Sequence, residues 1–143
     1  MAVTVSLYNQ VAKLFADGSN AAADSYKVKL YSSATFDATN TTLASITGTE
    51  ATTGTGYTAG GQALANVTVT TVTTNDAKFD ADDVTWTASG GSITAAYAVL
   101  YNATDANSPP LAFIDFGGSQ SAGDTTPFKI VWNANGIFGF TVA

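Results

Sequence analysis

The chain has no cysteine, no histidine and no arginine, and a single glutamate, among 143 residues. Each absence removes a class of chemistry. Without Cys there is no disulfide, no thiolate nucleophile and no thiolate zinc site. Without His the commonest general base and the commonest metal ligand are missing. The positive charges are five lysines (Lys13, Lys27, Lys29, Lys78, Lys129) against eleven carboxylates, a formal net charge of −6. No basic stripe can form to displace counterions from phosphates, and no guanidinium is available to read guanine, so the composition argues against nucleic acid as a partner. An anionic membrane surface is disfavoured for the same reason. No apolar run reaches the ~18–20 residues that span a bilayer. The N-terminal segment also lacks the basic start and long apolar core of a secretory signal. The expectation is a soluble subunit made in a cytoplasm.

Thr, Ala, Gly, Asn and Ser dominate what is present, with 45% hydrophobic and only 11% charged residues. Thr favours pleated, half-buried surfaces, while Gly and Asn favour turns. A surface built of hydroxyls, amides and small apolar groups costs little to desolvate, which suits persistent assembly. The length fits one domain, residues 1–143, with no linker or composition break to divide it.

Periodicity places the elements. Ala2–Tyr8 alternates briefly, as a strand or an entry segment would. Leu7, Val11, Leu14 and Phe15 fall on one helical stripe ended by Gly18, predicting a short amphipathic helix over roughly residues 6–16. Alternating or apolar runs predict strands at Tyr26–Tyr31, Leu64–Thr73, Ile93–Asn102, Leu111–Phe116 and Phe128–Trp132, and a further strand or pair around an acidic turn at Lys78–Phe79 and Val84–Thr87. Asn133–Gly136 predicts a tight turn into Ile137–Val142 and a terminal hairpin. Thr52–Gln62, with Gly54, Gly56, Gly60 and Gly61, predicts irregular backbone. Leu43 and Ile46 predict an anchored loop or helical turn, and Gly117–Thr126 a loop. The fold class that follows is mainly β: an antiparallel β-sandwich, jelly-roll-like or Ig-like, with one short N-terminal helix.

Candidate chemistry is sparse. The stretch Gly54-Thr-Gly56-Tyr57-Thr-Ala-Gly60-Gly61 has the look of a nucleotide loop, but its last gap is one residue too long for the dinucleotide pattern. A strand-like run follows it, so no helix N-terminus awaits a pyrophosphate. It reads instead as a turn that places Tyr57. Asp80, Asp82 and Asp83 form a weak calcium candidate without the turn glycine or distal glutamate of an EF-hand loop. Asp115, between Ile114 and Phe116, alternates onto an exposed or interface face. Ser nucleophiles have no His partner. The residues therefore point to no catalysis, no cofactor and no strong metal site.

Several segments together carry a resemblance. They are Leu7-Tyr8-Asn9 with Ala12-Lys13-Leu14-Phe15-Ala16-Asp17-Gly18, then Asp24-Ser-Tyr26-Lys-Val28-Lys-Leu30-Tyr31, and then Gly54–Leu64 with its Gly-Tyr-Thr-Ala-Gly-Gly run. Phe79-Asp80-Ala-Asp82-Asp83-Val84-Thr-Trp86, Ala98–Tyr101, Pro110–Gly118 and Trp132–Phe138 complete the series. In this order they resemble a family of small virion structural proteins of tailed bacteriophages, of the capsid cement or decoration kind. The resemblance implies a homo-oligomeric subunit, made in the host bacterial cytoplasm and located in the virion. It would bind the major capsid protein and copies of itself on the outside of the head. A tail or head–tail structural or receptor-binding module is the alternative it leaves open. Val3, Val5, Leu7, Tyr8 and Tyr57 are the expected partner-interface residues, through the N-terminal segment or an unpaired edge strand.

Overall fold

The computed structural model describes residues 3–73 and 75–142. Its longest strands are β2 (Tyr26–Ala34), β8 (Ile93–Asn102) and β9 (Pro110–Ala122). With β1 (Thr4–Leu7) and β3 (Gly48–Glu50) they form an antiparallel sheet in the order β1-β9-β8-β2-β3, and β4 (Gln62–Ala63) also pairs with β2. Two smaller sheets accompany it. One joins β5 (Thr68–Thr71), β6 (Ala77–Asp80) and β11 (Phe138–Phe140); the other joins β7 (Val84–Thr87) and β10 (Pro127–Ile130). The architecture is mainly β and sandwich-like, with one short helix, α1 (Val11–Ala16).

Register decides what each face of the large sheet carries. Val28 lies opposite Leu100, Leu30 opposite Ala98, and Ala98 opposite Ile114. All five are buried on the face that meets the small sheets, where the Tyr26 and Phe79 rings stand 5.0 Å apart, edge to face. The α1 residue Phe15 packs there against Phe79, Phe138 and Phe140. The opposite face carries Tyr31, Tyr97, Val99 and Phe113. Phe36 and Leu43 from the segment between β2 and β3 cover it, with Phe36 bridging Tyr8 and Phe113 at 5.1 and 5.4 Å. Both faces are therefore covered, and burying such rings is the main favourable term in folding.

Ile93–Asn102 is a strand as predicted, and residues 52–61 are irregular. Leu43–Ser45 forms a single 3₁₀ turn. Five expectations need correction or sharpening. The helix begins at Val11 rather than near residue 6, because Thr4–Leu7 pair with β9 and the alternation of Val3, Val5 and Leu7 overrides the helical stripe. The run Leu64–Thr73 is not one strand: Asn66 takes φ +53°, its side chain donates to Asp82 at 2.6 Å, and the chain turns there between β4 and β5. Lys78–Phe79 and Val84–Thr87 are a pair of strands around the acidic turn, but they do not pair with each other: they belong to different sheets. Beyond Phe116 the chain does not become a loop; β9 continues to Ala122 through an irregularity facing Ala95–Tyr97 of β8.

The terminal hairpin is the fifth. The turn at Asn133–Gly136 forms, with Gly136 N–H donating to the Asn133 carbonyl, but β11 pairs with β6 and not with β10. Trp132 is drawn to the acidic turn, its backbone N–H donating to Asp83 and its indole N–H to the Asp82 carbonyl, both at 3.0 Å. That draws the chain across to β6, where the Phe138 ring stacks on Phe79.

Candidate functional site

The three carboxylates of the calcium candidate lie close in sequence, yet each has its own partner. Asp80 pairs with Lys78 at 3.0 Å, Asp82 accepts from Asn66, and Asp83 pairs with Lys129 at 3.0 Å. The Trp132 N–H and then Lys129 hold the Asp83 carboxyl below its ordinary range. Among the described residues no group of three or more carboxylates gathers in a form that could hold a metal. Asp115 is half-buried beside Thr4 and Tyr97, and its carboxylate accepts from the Gly117 N–H at 2.8 Å.

Two of the five interface candidates are corrected. Tyr8 and Tyr57 are each 2% exposed, so neither ring is on the surface. Tyr8 turns inward because it follows Leu7 by one residue and strand alternation sends it to the opposite, covered face. Tyr57 is drawn in by the β3 edge of the sheet. Its hydroxyl accepts from the Leu30 N–H at 3.0 Å and donates to Glu50 at 2.9 Å. The same Glu50 oxygen accepts from the Gly60 N–H, and its other oxygen pairs with Lys29 at 3.3 Å. Tyr101 completes the cluster by donating to the Gly60 carbonyl at 2.7 Å. Burial, with Glu50 nearby, raises the Tyr57 and Tyr101 phenols above their usual range. Tyr31 is pushed up to about 12 by burial and then by the charges of Glu50 and Tyr101. The Gly-rich run is thus a structural clasp over the β3 edge.

The other three candidates come together along β1 and the residue just before it. Val3, Val5 and Leu7 alternate onto one side and are 59%, 43% and 36% exposed. A groove of about 440 Å³ adjoins them, lined by Val3, Phe116, Pro127, Phe128, Ile130 and Val131 among others. Val131 is 67% exposed. The groove exists because β9 is long while β1 covers only Ala112–Asp115, so the far half of β9 faces β10 across a gap. The sequence reading missed Val131 and the groove; Val131 looked like one more residue of a strand ending at Trp132. It missed the Glu50 clasp too, although the chain's only glutamate, in a run without other charges, was a signal. Searches of protein families, curated proteins and solved structures find no match to this chain.

Proposed function

We propose that the chain is a virion structural protein of a tailed bacteriophage, a capsid cement or decoration subunit that binds the outer head shell. The reading rests on the segment-by-segment resemblance given above. The observation that favours assembly is the bare edge at β1, where three apolar side chains are exposed on a strand with no charged residue. Such a subunit acts mechanically. Each copy adds contact area across neighbouring shell subunits, and linked contacts raise occupancy beyond what one site supplies. Acidic charge suits an outer station, away from packaged DNA.

The test uses particles of the phage that encodes the chain. Antibody against the purified protein is expected to label the head surface in many copies. Particles made without the chain are expected to release DNA at lower temperature or milder osmotic shock than complete ones. Labelling confined to the tail would replace this reading with a tail or receptor-binding module. Particles that never contain the chain would overturn both.

A further inference from the structure

Hydrogen-bond alternation fixes which backbone groups of β1 are free. The Tyr8 N–H donates to the Leu111 carbonyl at 3.1 Å, and Ser6 and Thr4, in register with Phe113 and Asp115, fall on the same alternation. The N–H and C=O groups of Val3, Val5 and Leu7 therefore point away from β9, along an edge that, among the described residues, no other strand of the sheet covers. These are also the residues whose side chains are exposed. Natural edges are commonly blunted by Lys, Pro, a bulge or an inward charge. Thr4–Leu7 has none of these. We propose that this edge pairs with the same edge of a second copy, antiparallel about a two-fold axis at Val5.

A two-fold contact requires a surface that complements itself, and this strand does. With Val5 opposite Val5, Val3 falls opposite Leu7 and Leu7 opposite Val3. Every outward N–H and C=O of the three residues then finds a partner, and both apolar stripes lie on one face of a merged sheet. The second copy's Leu7 arrives beside Val3 at the mouth of the groove formed with Phe116, Phe128 and Val131. In a chain of net charge −6 the contact opposes no like charges. The Asp115 carboxylate, in register with Thr4, is on the other face and is engaged by the Gly117 N–H. The one charged side chain lining the groove, Lys129, is paired with Asp83 at 3.0 Å, and the palindromic spacing of Val3, Val5 and Leu7 matches a second copy. The strand is short, and a contact below about 1,200 Å² in total belongs to the weak class, so a micromolar dimer is expected. The proposal concerns the chain free in solution and does not depend on the virion reading.

Sedimentation velocity of the full chain from about 1 to about 500 µM is expected to show a monomer passing into a dimer by mass action, and Val5→Lys to weaken that dimer at least about tenfold. The absence of cysteine allows a second, covalent readout. Val5→Cys places two thiols on the axis, with Cα atoms about 5.5 Å apart, within disulfide reach. Val69→Cys, on the exposed β5 edge, is the control. Under mild oxidation the Val5→Cys dimer is expected to form at least about tenfold faster than the control. Should Val5→Lys fail to fold, the ratio of these rates decides alone. A monomer at every concentration, a dimer indifferent to Val5→Lys, or equal crosslinking rates would overturn the proposal.

Discussion

At the β3 edge of the large sheet the chain's only glutamate gathers Lys29, Tyr57 and the Gly60 N–H, and Tyr101 holds the Gly60 carbonyl. At the β1 edge there is no charge and no clasp, and three apolar side chains face solvent. Both are ends of one sheet, so both begin with the same difficulty of unpaired backbone groups. The difference is in who satisfies them. Beside β3, the stretch of β2 left between its pairings with β3 and β4 is closed from within by a loop that brings a buried hydroxyl to the Leu30 N–H. The β1 edge leaves its groups for something outside the chain. Substitutions at the first should therefore act on folding, and substitutions at the second on association.

Alkali should produce the largest effect, and it acts mainly on the closed side. Burial raises the phenols of Tyr8, Tyr26, Tyr57 and Tyr101, and it pushes Tyr31 up to about 12. A phenol whose folded value lies above its unfolded value of about 10 stabilises the fold fully below pH ~10. Above that pH the unfolded chain releases protons that the folded chain retains, so stability falls as pH rises. Each such tyrosine then costs about 1.4 kcal/mol per pH unit until its folded value is passed. Tyr8, Tyr26, Tyr31 and Tyr57 together approach the whole stability of a domain, about 5–15 kcal/mol, within about two units, and Tyr101 acts in the same direction. Circular dichroism is expected to show cooperative unfolding between about pH 10.5 and 12, with tyrosine absorbance changing in the same step. Smooth titration with the fold intact at pH ~12 would mean the phenols are not held as described.

Gly61→Ala should come next. Gly61 sits at φ +84°, and a Cβ there would collide with the Val28 carbonyl of the strand beneath. Strain and overlap cannot both be relieved without lifting the clasp, so a loss of about 4 kcal/mol in urea unfolding is expected. Gly18 has nearly the same φ, +81°, but open space around it. Gly18→Ala should cost only about 1 kcal/mol, the backbone part alone. Equal losses at the two positions would remove the loop's close approach from the explanation.

Tyr57→Phe isolates the hydroxyl. It leaves the Leu30 N–H without its acceptor in a buried setting, and about 2 kcal/mol of stability should be lost. Glu50→Gln should cost less, about 1 kcal/mol, since an amide oxygen still accepts from Tyr57 and Gly60 while the Lys29 pair is lost. A reversed order would move the weight of the clasp from the hydrogen bond to the ion pair.

The strands with the strongest patterning were legible in the residues. Tyr26–Tyr31 alternates, Ile93–Asn102 is largely apolar, and both lie in the middle of the large sheet. What was not legible depended on partners far along the chain. The stripe of Leu7, Val11, Leu14 and Phe15 is consistent with a helix until β9 is known to lie beside Thr4–Leu7. Nothing local says that β11 will pair with β6 rather than β10; that follows from Asp82 and Asp83 holding Trp132. Tyr57 was rightly tied to the Gly-rich turn but wrongly given to a partner, because a large aromatic in a polar loop looks alike whether it anchors to its own sheet or to another protein. Val3, Val5 and Leu7 were legible because an edge strand with one apolar side needs only local alternation to be recognised.

The smallest effect on folding is expected at the open edge. Val5→Thr keeps a β-branched residue on a strand surface, where β propensity is nearly unchanged and the side chain is already 43% exposed. At protein concentrations near 1 µM, below the proposed dimer, its urea midpoint should match the parent within about 0.5 kcal/mol. At about 500 µM the parent should gain stability by mass action and the variant should gain less, since a contact made only in the folded pair adds to the folded side alone. The gap between the two should therefore widen with concentration, whereas the deficit of Tyr57→Phe should stay constant, because its lost hydrogen bond lies within one chain. If the Val5→Thr difference were large when dilute and flat with concentration, β1 would be holding its own sheet together, and the contrast between the two edges would fail.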